Sequence, residues 1–383
     1  MFTFAGKLHI NNFSCIMANV IKIKKGLDIN LKGKASDVLL NGGKSESYAI
    51  VPDYYNGILP KVVAKVGEKV KAGSVLMIDK NRPEIKFVSP VSGEVTAVNR
   101  GEKRKVLSIV VKPDAQIEYE EFGKKNVASL QGAEVKEVLL NAGMWPFIKQ
   151  RPYDIVAAPL DTPRDIFVSA FYSAPLAPNF DFIVKGQEAD FQTGLNALAK
   201  LTNGKVYVGV RSGSVVSGMK GVEIVEVEGP HPAANVGVQI NHIKPVNKGE
   251  VVWTVNPADV IVIGRLFNKG VADFSRMVAI TGSETTERGY VKTISGCTIK
   301  SLVNGKVLGQ EHIRIISGNV LTGTKVNMDG YLGAYDNQIT VIPEGDETHE
   351  FLGFAMPRFN QFSASHSYCL LYTSPSPRDG ATS

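Results

Sequence analysis

At 383 residues, 44% hydrophobic and 21% charged, the chain is long enough for two to four packed domains and too apolar for wholesale disorder. The net charge of +6 is uneven. Residues 17 to 112 hold about 18 Lys/Arg against about 9 Asp/Glu, which suits a solvated basic face, an anionic membrane surface or an acidic partner; nucleic acid is disfavoured because aromatics are not interleaved with the basic residues.

Three cysteines (Cys15, Cys297, Cys369) without any CxxC argue against a disulfide framework, a zinc knuckle or a cysteine-ligated iron–sulfur cluster, and fit a reducing compartment. No apolar run is long enough for a transmembrane segment, so none is expected. The opening "MFTFAGKLHINNFSCI" lacks the features of a secretion signal, and Met17 offers a second start; residues 1–16 are expected to be an upstream extension.

Residues 66–95, "VGEKVKAGSVLMIDKNRPEIKFVSPVSGEV", resemble half of a biotin- or lipoate-carrying domain, in which a hairpin presents a lysine eight residues before a Ser-Pro. Here Arg82 stands eight residues before Pro90, and Lys80 is two residues out of register. "VGEKVKAGSVL" (66–76) is echoed by "RGEKRKVLSIV" (100–110), each read as a turn, permitted by Gly67 or Gly101, followed by a strand. Two such copies make a flattened barrel-sandwich, assigned to 17–115.

From about 130 strands and helices alternate. "DIFVSAF" (165–171), "KVYVGV" (205–210), "VEIVEVEG" (222–229) and "VVWTV" (251–255) read as strands. Phe191, Leu195, Leu198 and Thr202 share one helical face, and Asn256, Pro257 and Gly270 supply the cap, first turn and stop of another helix. This alternation predicts a Rossmann-like parallel sheet over 116–280. "TGSETTERG" (281–289) reads as a loop or linker. The short strands "YVKTIS", "GKVL", "HIRIISG" and "NQITVI" then predict a β-grasp module over 281–355. The Ser/Pro-rich tail "CLLYTSPSPRDGATS" (369–383) continues no pattern and is expected to be non-native.

Few motifs carry chemistry. Gly43-Lys44-Ser45 lacks the glycine a phosphate loop needs at position 38, where Val38 stands, and "GVRSGSVVSGMKG" (209–221) reads as a flexible β–α loop. His231 and His242 have no companions at metal-ligand spacing. His231, in "EGPHPAANVGVQ", is a structural turn or part of a ligand-facing loop at the carboxyl end of a strand. "LLNAGMWPFIKQRPYD" (139–154) is an interdomain joint with aromatic anchors or an apolar slot for a flat ring.

The order of these domains resembles a family group containing the flavin-binding subunit of respiratory complex I, the C subunit of the Rnf electron-transfer complex and NqrA, the first subunit of the Na⁺-translocating NADH:quinone reductase. "IKIKKGLDI", "EIKFVSPVSGEVTAVNRGEKR", "EGPHPAANVGVQINHIKPV", "VVWTVNPADVIVIGRLF" and "RIISGNVLTG…YLGAYDNQITVIPEG" look like the NqrA family, from about Met17 to Tyr368. The resemblance implies an α/β multi-domain fold: a biotinyl/lipoyl-like barrel-sandwich domain, a Rossmann-like domain related to the complex I flavin subunit, and an SLBB-type β-grasp domain. It also implies a mainly helical C-terminal domain, of which 356–368 is the truncated start.

In the flavin-binding relatives a glycine-rich loop opens the Rossmann-like domain. The matching "NAGMWPFIKQRPY" keeps only Gly143. The resemblance therefore implies a cofactor-free, peripheral subunit on the cytoplasmic face of the bacterial inner membrane, docked to the adjacent membrane subunit, NqrB, with flavins and iron–sulfur centres in other subunits. The complex would pass electrons from NADH to ubiquinone while exporting sodium; this chain is expected to have no catalytic site of its own. For quinone contacts the expectation falls on Trp145, Phe147 and Arg151, with His231 as a hydrogen-bond partner for a carbonyl. The alternatives are an Rnf-type or complex-I-type NADH-oxidising flavoprotein, and a biotin or lipoate carrier using Lys80.

Overall fold

A computed structural model describes residues 19–309 and 311–346. The expected extension at 1–16, the segment 356–368 and the tail 369–383, with Cys15 and Cys369, lie outside the described residues.

The first domain pairs two antiparallel sheets. One orders the strands Tyr48–Ile50, Val106–Pro113, Gly93–Arg100 and Lys69–Val70; the other orders Pro60–Val62, Val75–Asp79 and Lys86–Val88. Leu76, Ile85, Val91, Val95 and Ile109 are fully buried between them. The first copy of the repeat turns at Gly67 as expected, with φ +86°. The second differs. Gly101 has φ −97°, and the left-handed positions fall on Lys103 and Arg104 instead.

A seven-stranded sheet follows, in the order Asn19–Lys22, Glu223–Glu228, Val206–Val210, Ile166–Ser169, Val252–Val255, Ile148–Arg151, Ile155–Val156. The first five are mutually parallel; Ile148–Arg151 pairs antiparallel with Val252–Val255, and Ile155–Val156 antiparallel with Ile148–Arg151. The chain therefore enters this sheet before building the sandwich, because Asn19–Lys22 pairs with Glu223–Glu228. Helices Glu188–Ala199 and Pro257–Lys269 pack closely: a Cβ on Gly264 would come within 1.7 Å of the Asp190 carbonyl oxygen. Phe191, Leu195 and Leu198 are fully buried as predicted, whereas Thr202 lies past the helix end, its Oγ1 donating to the Pro163 carbonyl.

Helix Pro257–Lys269 has the predicted punctuation. Asn256 Oδ1 accepts from Ala258 N at 3.1 Å, and Gly270 takes φ +76°. A Cβ on Gly270 would lie 2.6 Å from Lys124 N. Gly270→Ala is expected to cost about 1–2 kcal/mol, read as a lowered thermal midpoint, because side chains disfavour this backbone region and the space is taken.

The third sheet is mixed, in the order Thr324–Val326, Ile313–Ser317, Gln338–Pro343, Ser275–Thr281, Gly289–Ile294, Leu39–Leu40, with helix Ile299–Val303. The stretch 281–289 is thus a hairpin loop inside one sheet, not a linker. "GKVL" is not a strand; only Val307 bridges, to Thr285.

One apolar core runs from the sandwich (Leu76, Phe87, Val88) through Trp145 and Phe147 into the parallel sheet, and a second fills the third sheet. At the carrier-like hairpin, Arg82 is fully engaged. Its Nε donates to Asp79 Oδ2 at 2.7 Å, Nη1 to Val156 O at 3.1 Å and Nη2 to Gly57 O at 2.8 Å. The hairpin tip is fastened to the second domain. Among the described residues no helix is long and apolar enough to cross a membrane.

Candidate functional site

Strand Ile166–Ser169 connects onward to Val206–Val210 on one side, while its other neighbour, Val252–Val255, arrives later by way of helix Val236–Ile243. The strand order reverses between them. Open α/β sheets bind ligands in the crevice such a reversal leaves at the carboxyl ends of the strands. A cleft of about 580 Å³ lies there.

Its walls come from distant parts of the chain. Tyr172 follows Ile166–Ser169, Asn256 follows Val252–Val255, and Tyr335 arrives from the third sheet's loops. Lys149 and Arg151, two apart on strand Ile148–Arg151, share one face. Lys149 Nζ sits 4.0 Å from the Tyr335 ring centroid and 3.6 Å from Asp154 Oδ2. Arg151 Nη2 lies 3.3 Å from Asp154 Oδ1, and its Nε has no hydrogen-bond partner among the described residues. The first turns of helices Val236–Ile243 and Pro257–Lys269 also border the cleft, adding the positive ends of two helix dipoles. Two cations and two helix N-termini outweigh one aspartate. Burial holds the Tyr172 and Tyr335 phenols well above their ordinary pKa, so both stay protonated.

The four sequence-predicted residues separate. Phe147 and Arg151 line the cleft. Trp145 does not: it is fully buried, its Nε1 donates to Ala157 O at 2.8 Å, and it meets Trp253 edge-on at 5.3 Å. His231 is not a lining residue either. Its Nδ1 lies 3.0 Å from Ser173 Oγ and its backbone N donates to Asp28 Oδ1, in a turn with a cis bond to Pro232. Lys149, Tyr172, Asn256 and Tyr335 are additional. Lys149 was within reach, since it alternates with Arg151; Asn256 was legible only as a helix cap, and the tyrosines carry no local signal.

The stretch matching the relatives' glycine loop is closed. Trp145, Pro146 and Phe147 form a buried 3₁₀ turn, and a Cβ on Gly143 would strike Val88 at 2.5 Å. It holds no open row of backbone N–H groups for a flavin phosphate. A second hollow of about 570 Å³ beside Phe171 is polar, and among the described residues most of its charged groups, Lys34 apart, are already paired: Asp181 with Ser214, Asp37 with Asn179, and Arg211 with the Val227 and Gly229 carbonyls. It suits an apolar ring less well. Among the described residues no group of three or more His, Cys, Asp or Glu is placed to hold a metal ion.

Three family models match along the chain: the NqrA N-terminal barrel-sandwich hybrid domain over residues 21–114, the NqrA second alpha/beta domain over 130–272 and the NQRA C-terminal domain over 277–328. The A subunit of the Na(+)-translocating NADH-quinone reductase of Hahella chejuensis is 37% identical over 355 residues, covering 91% of this chain and 79% of that protein. The proteins of the same description from Neisseria meningitidis and Aliivibrio salmonicida are 35% and 37% identical over 353 residues, covering 91% of this chain and 78% and 79% of theirs. A solved NAD⁺-reducing [NiFe]-hydrogenase chain aligns at 12% identity over 48% of this chain and 41% of that one, with a TM-score of 0.34, too slight a likeness to carry an argument. The chain belongs to the NqrA family, the A subunits of the Na⁺-translocating NADH-quinone reductase.

Proposed function

We propose that this chain is the peripheral NqrA subunit of a complex that passes electrons from NADH to quinone and exports sodium, and that the cleft at the strand-order reversal receives the quinone headgroup. The names of the relatives support the first part. The second rests on one observation: Lys149, Arg151 and two helix N-termini converge on a cleft walled by Phe147, Tyr172 and Tyr335. Aromatic edges suit a flat ring, and the positive groups stabilise charge that develops on a quinone oxygen during reduction.

In this reading the chain holds no flavin, docks on the adjacent membrane subunit, NqrB, at the cytoplasmic face, and contributes scaffold and quinone contacts. The seven-stranded sheet is Rossmann-like with a degenerate glycine loop, supported by five parallel strands with crossover helices. The six-stranded sheet is a β-grasp of SLBB type, supported by its single helix on a mixed sheet. Neither alternative gains support. Arg82 fills the carrier-lysine position and is immobilised, and the relatives described above carry the name of the sodium-translocating reductase rather than of an Rnf or complex I subunit.

The test is calorimetric titration of the full chain with a short-chain ubiquinone. Saturable binding is expected, about tenfold weaker in Arg151→Gln, the loss of one charge-assisted hydrogen bond. Equal affinity of the two proteins would remove Arg151 from the site.

A further inference from the structure

Asp259 and Arg276 form an ion pair sealed inside the protein, directly behind the cleft. Their side chains are 0% and 1% exposed, with Arg276 Nη2 3.0 Å from Asp259 Oδ1. The pair joins helix Pro257–Lys269 to strand Ser275–Thr281, and it is incomplete: among the described residues Asp259 Oδ2 and Arg276 Nε have no hydrogen-bond partner. A structural pair of this kind ordinarily saturates its atoms, because a half-satisfied buried charge is costly.

A polar path connects the pair to the cleft. Arg276 Nη1 reaches Asn337 Oδ1 at 3.5 Å; Asn337 Nδ2 donates to Tyr172 Oη at 3.1 Å; Tyr172 Oη donates to Asn256 Oδ1 at 3.0 Å. Tyr172 and Asn256 both line the cleft. The groups whose charges act on Asp259 surround it from every side. Arg276 and, from the cleft floor, Lys149 favour its ionised form, while Asp336 opposes it. The Tyr55, Tyr172 and Tyr335 phenols, all partly buried, feel its charge in turn. So little solvent lies between these groups that charge placed in the cleft reaches Asp259 weakly screened.

We propose that Asp259 is a proton-holding group coupled to the cleft: when negative charge enters the cleft, the Asp259 carboxylate takes up one proton and becomes a neutral carboxylic acid. This rests on the cleft being the quinone site. Electrons arriving by the NADH–quinone reductase reaction leave an anion on the ring, and the proton comes from water. Asp259 holds the compensating positive charge next to the ring without touching it, which makes it a positioning residue rather than a catalytic one. Burial pushes its carboxyl up to about 6, close enough to neutrality for a nearby charge to move it across. The sign is fixed: an anion in the cleft disfavours the carboxylate, so the midpoint rises.

The experiment uses the full chain and the anion of 2-hydroxy-1,4-naphthoquinone as probe. Calorimetry at pH 7 in buffers of different ionisation enthalpy counts protons taken up per bound probe. Infrared titration of the carboxylic-acid C=O band follows the Asp259 midpoint in the wild type, free and bound, so the result does not hang on a variant folding. The expected result is fractional proton uptake on binding and a midpoint raised by about one pH unit. Asp259→Asn should abolish both and Asp336→Asn should keep both, which assigns the band. Binding without proton uptake, or with an unmoved midpoint, overturns the inference and leaves the quinone cleft standing. No binding overturns both.

Discussion

Arg82→Ala is expected to destabilise the chain by about 3 kcal/mol and to lower the apparent Tm by roughly 10 °C. Arg82 occupies the position of a carrier domain's swinging lysine, yet three of its nitrogens are committed, to Asp79 and to carbonyl oxygens at Val156 and Gly57. Asp79 is fully buried, so removing the guanidinium strands a charge. The cost falls at the lower end of the range for such pairs because Asp79 Oδ1 keeps the Leu59 and Asn81 N–H donors. Arg82→Lys should recover only part of the loss: an ammonium can still meet Asp79, but cannot fork to two carbonyls. Thermal unfolding of the three proteins checks the order wild type, lysine, alanine. An unchanged midpoint in Arg82→Ala would mean that the hairpin is not fastened there. A tip that had to move would not be tied to its neighbour, so the domain's role is rigid.

What the sequence made legible was local. Helix Pro257–Lys269 was readable because Asn256, Pro257 and Gly270 punctuate it within fifteen residues, each by its own backbone preference. The central strands were readable because they are short runs of β-branched residues between turns. Contacts made across the chain were not. Nothing near Asn19 announces that it pairs with Val225 in another sheet, and Gly101 looked like the turn residue although Lys103 and Arg104 take the left-handed positions. The cleft divides in the same way. Phe147 and Arg151 were singled out because they crowd one unusual stretch, but Tyr172, Tyr335 and the Asp259–Arg276 pair meet only once three segments have packed. His231 drew attention as a lone imidazole between two prolines; its ring instead meets Ser173 in a neighbouring turn.

Trp145→Ala is expected to cost about 4 kcal/mol, more than any change on the cleft wall. The stretch 139–154 carries two jobs, and its change of backbone separates them: Trp145 lies in the buried 3₁₀ turn, Lys149 and Arg151 on the strand that follows. Trp145 points into the interior, where its indole edge meets Trp253 and its Nε1 satisfies the Ala157 carbonyl. Truncation therefore opens a cavity and also leaves a carbonyl unpaired. Lys149 and Arg151 point the other way, into the cleft. A crossed result follows. Trp145→Phe, which keeps a ring but loses the donor, should lower the unfolding midpoint while leaving short-chain quinone affinity within about twofold, since packing at a distance from a ligand couples weakly to it. Arg151→Gln should lower affinity about tenfold with little change in the midpoint, because its pair with Asp154 is partly exposed. Should Trp145→Phe instead weaken quinone as strongly as Arg151→Gln at an unchanged midpoint, the indole would have to be a ligand contact and the division of the stretch would be wrong. The expected crossing would mean that one segment both joins two domains and aims two cations, so that the joint's rigidity holds Lys149 and Arg151 at fixed spacing on the cleft wall.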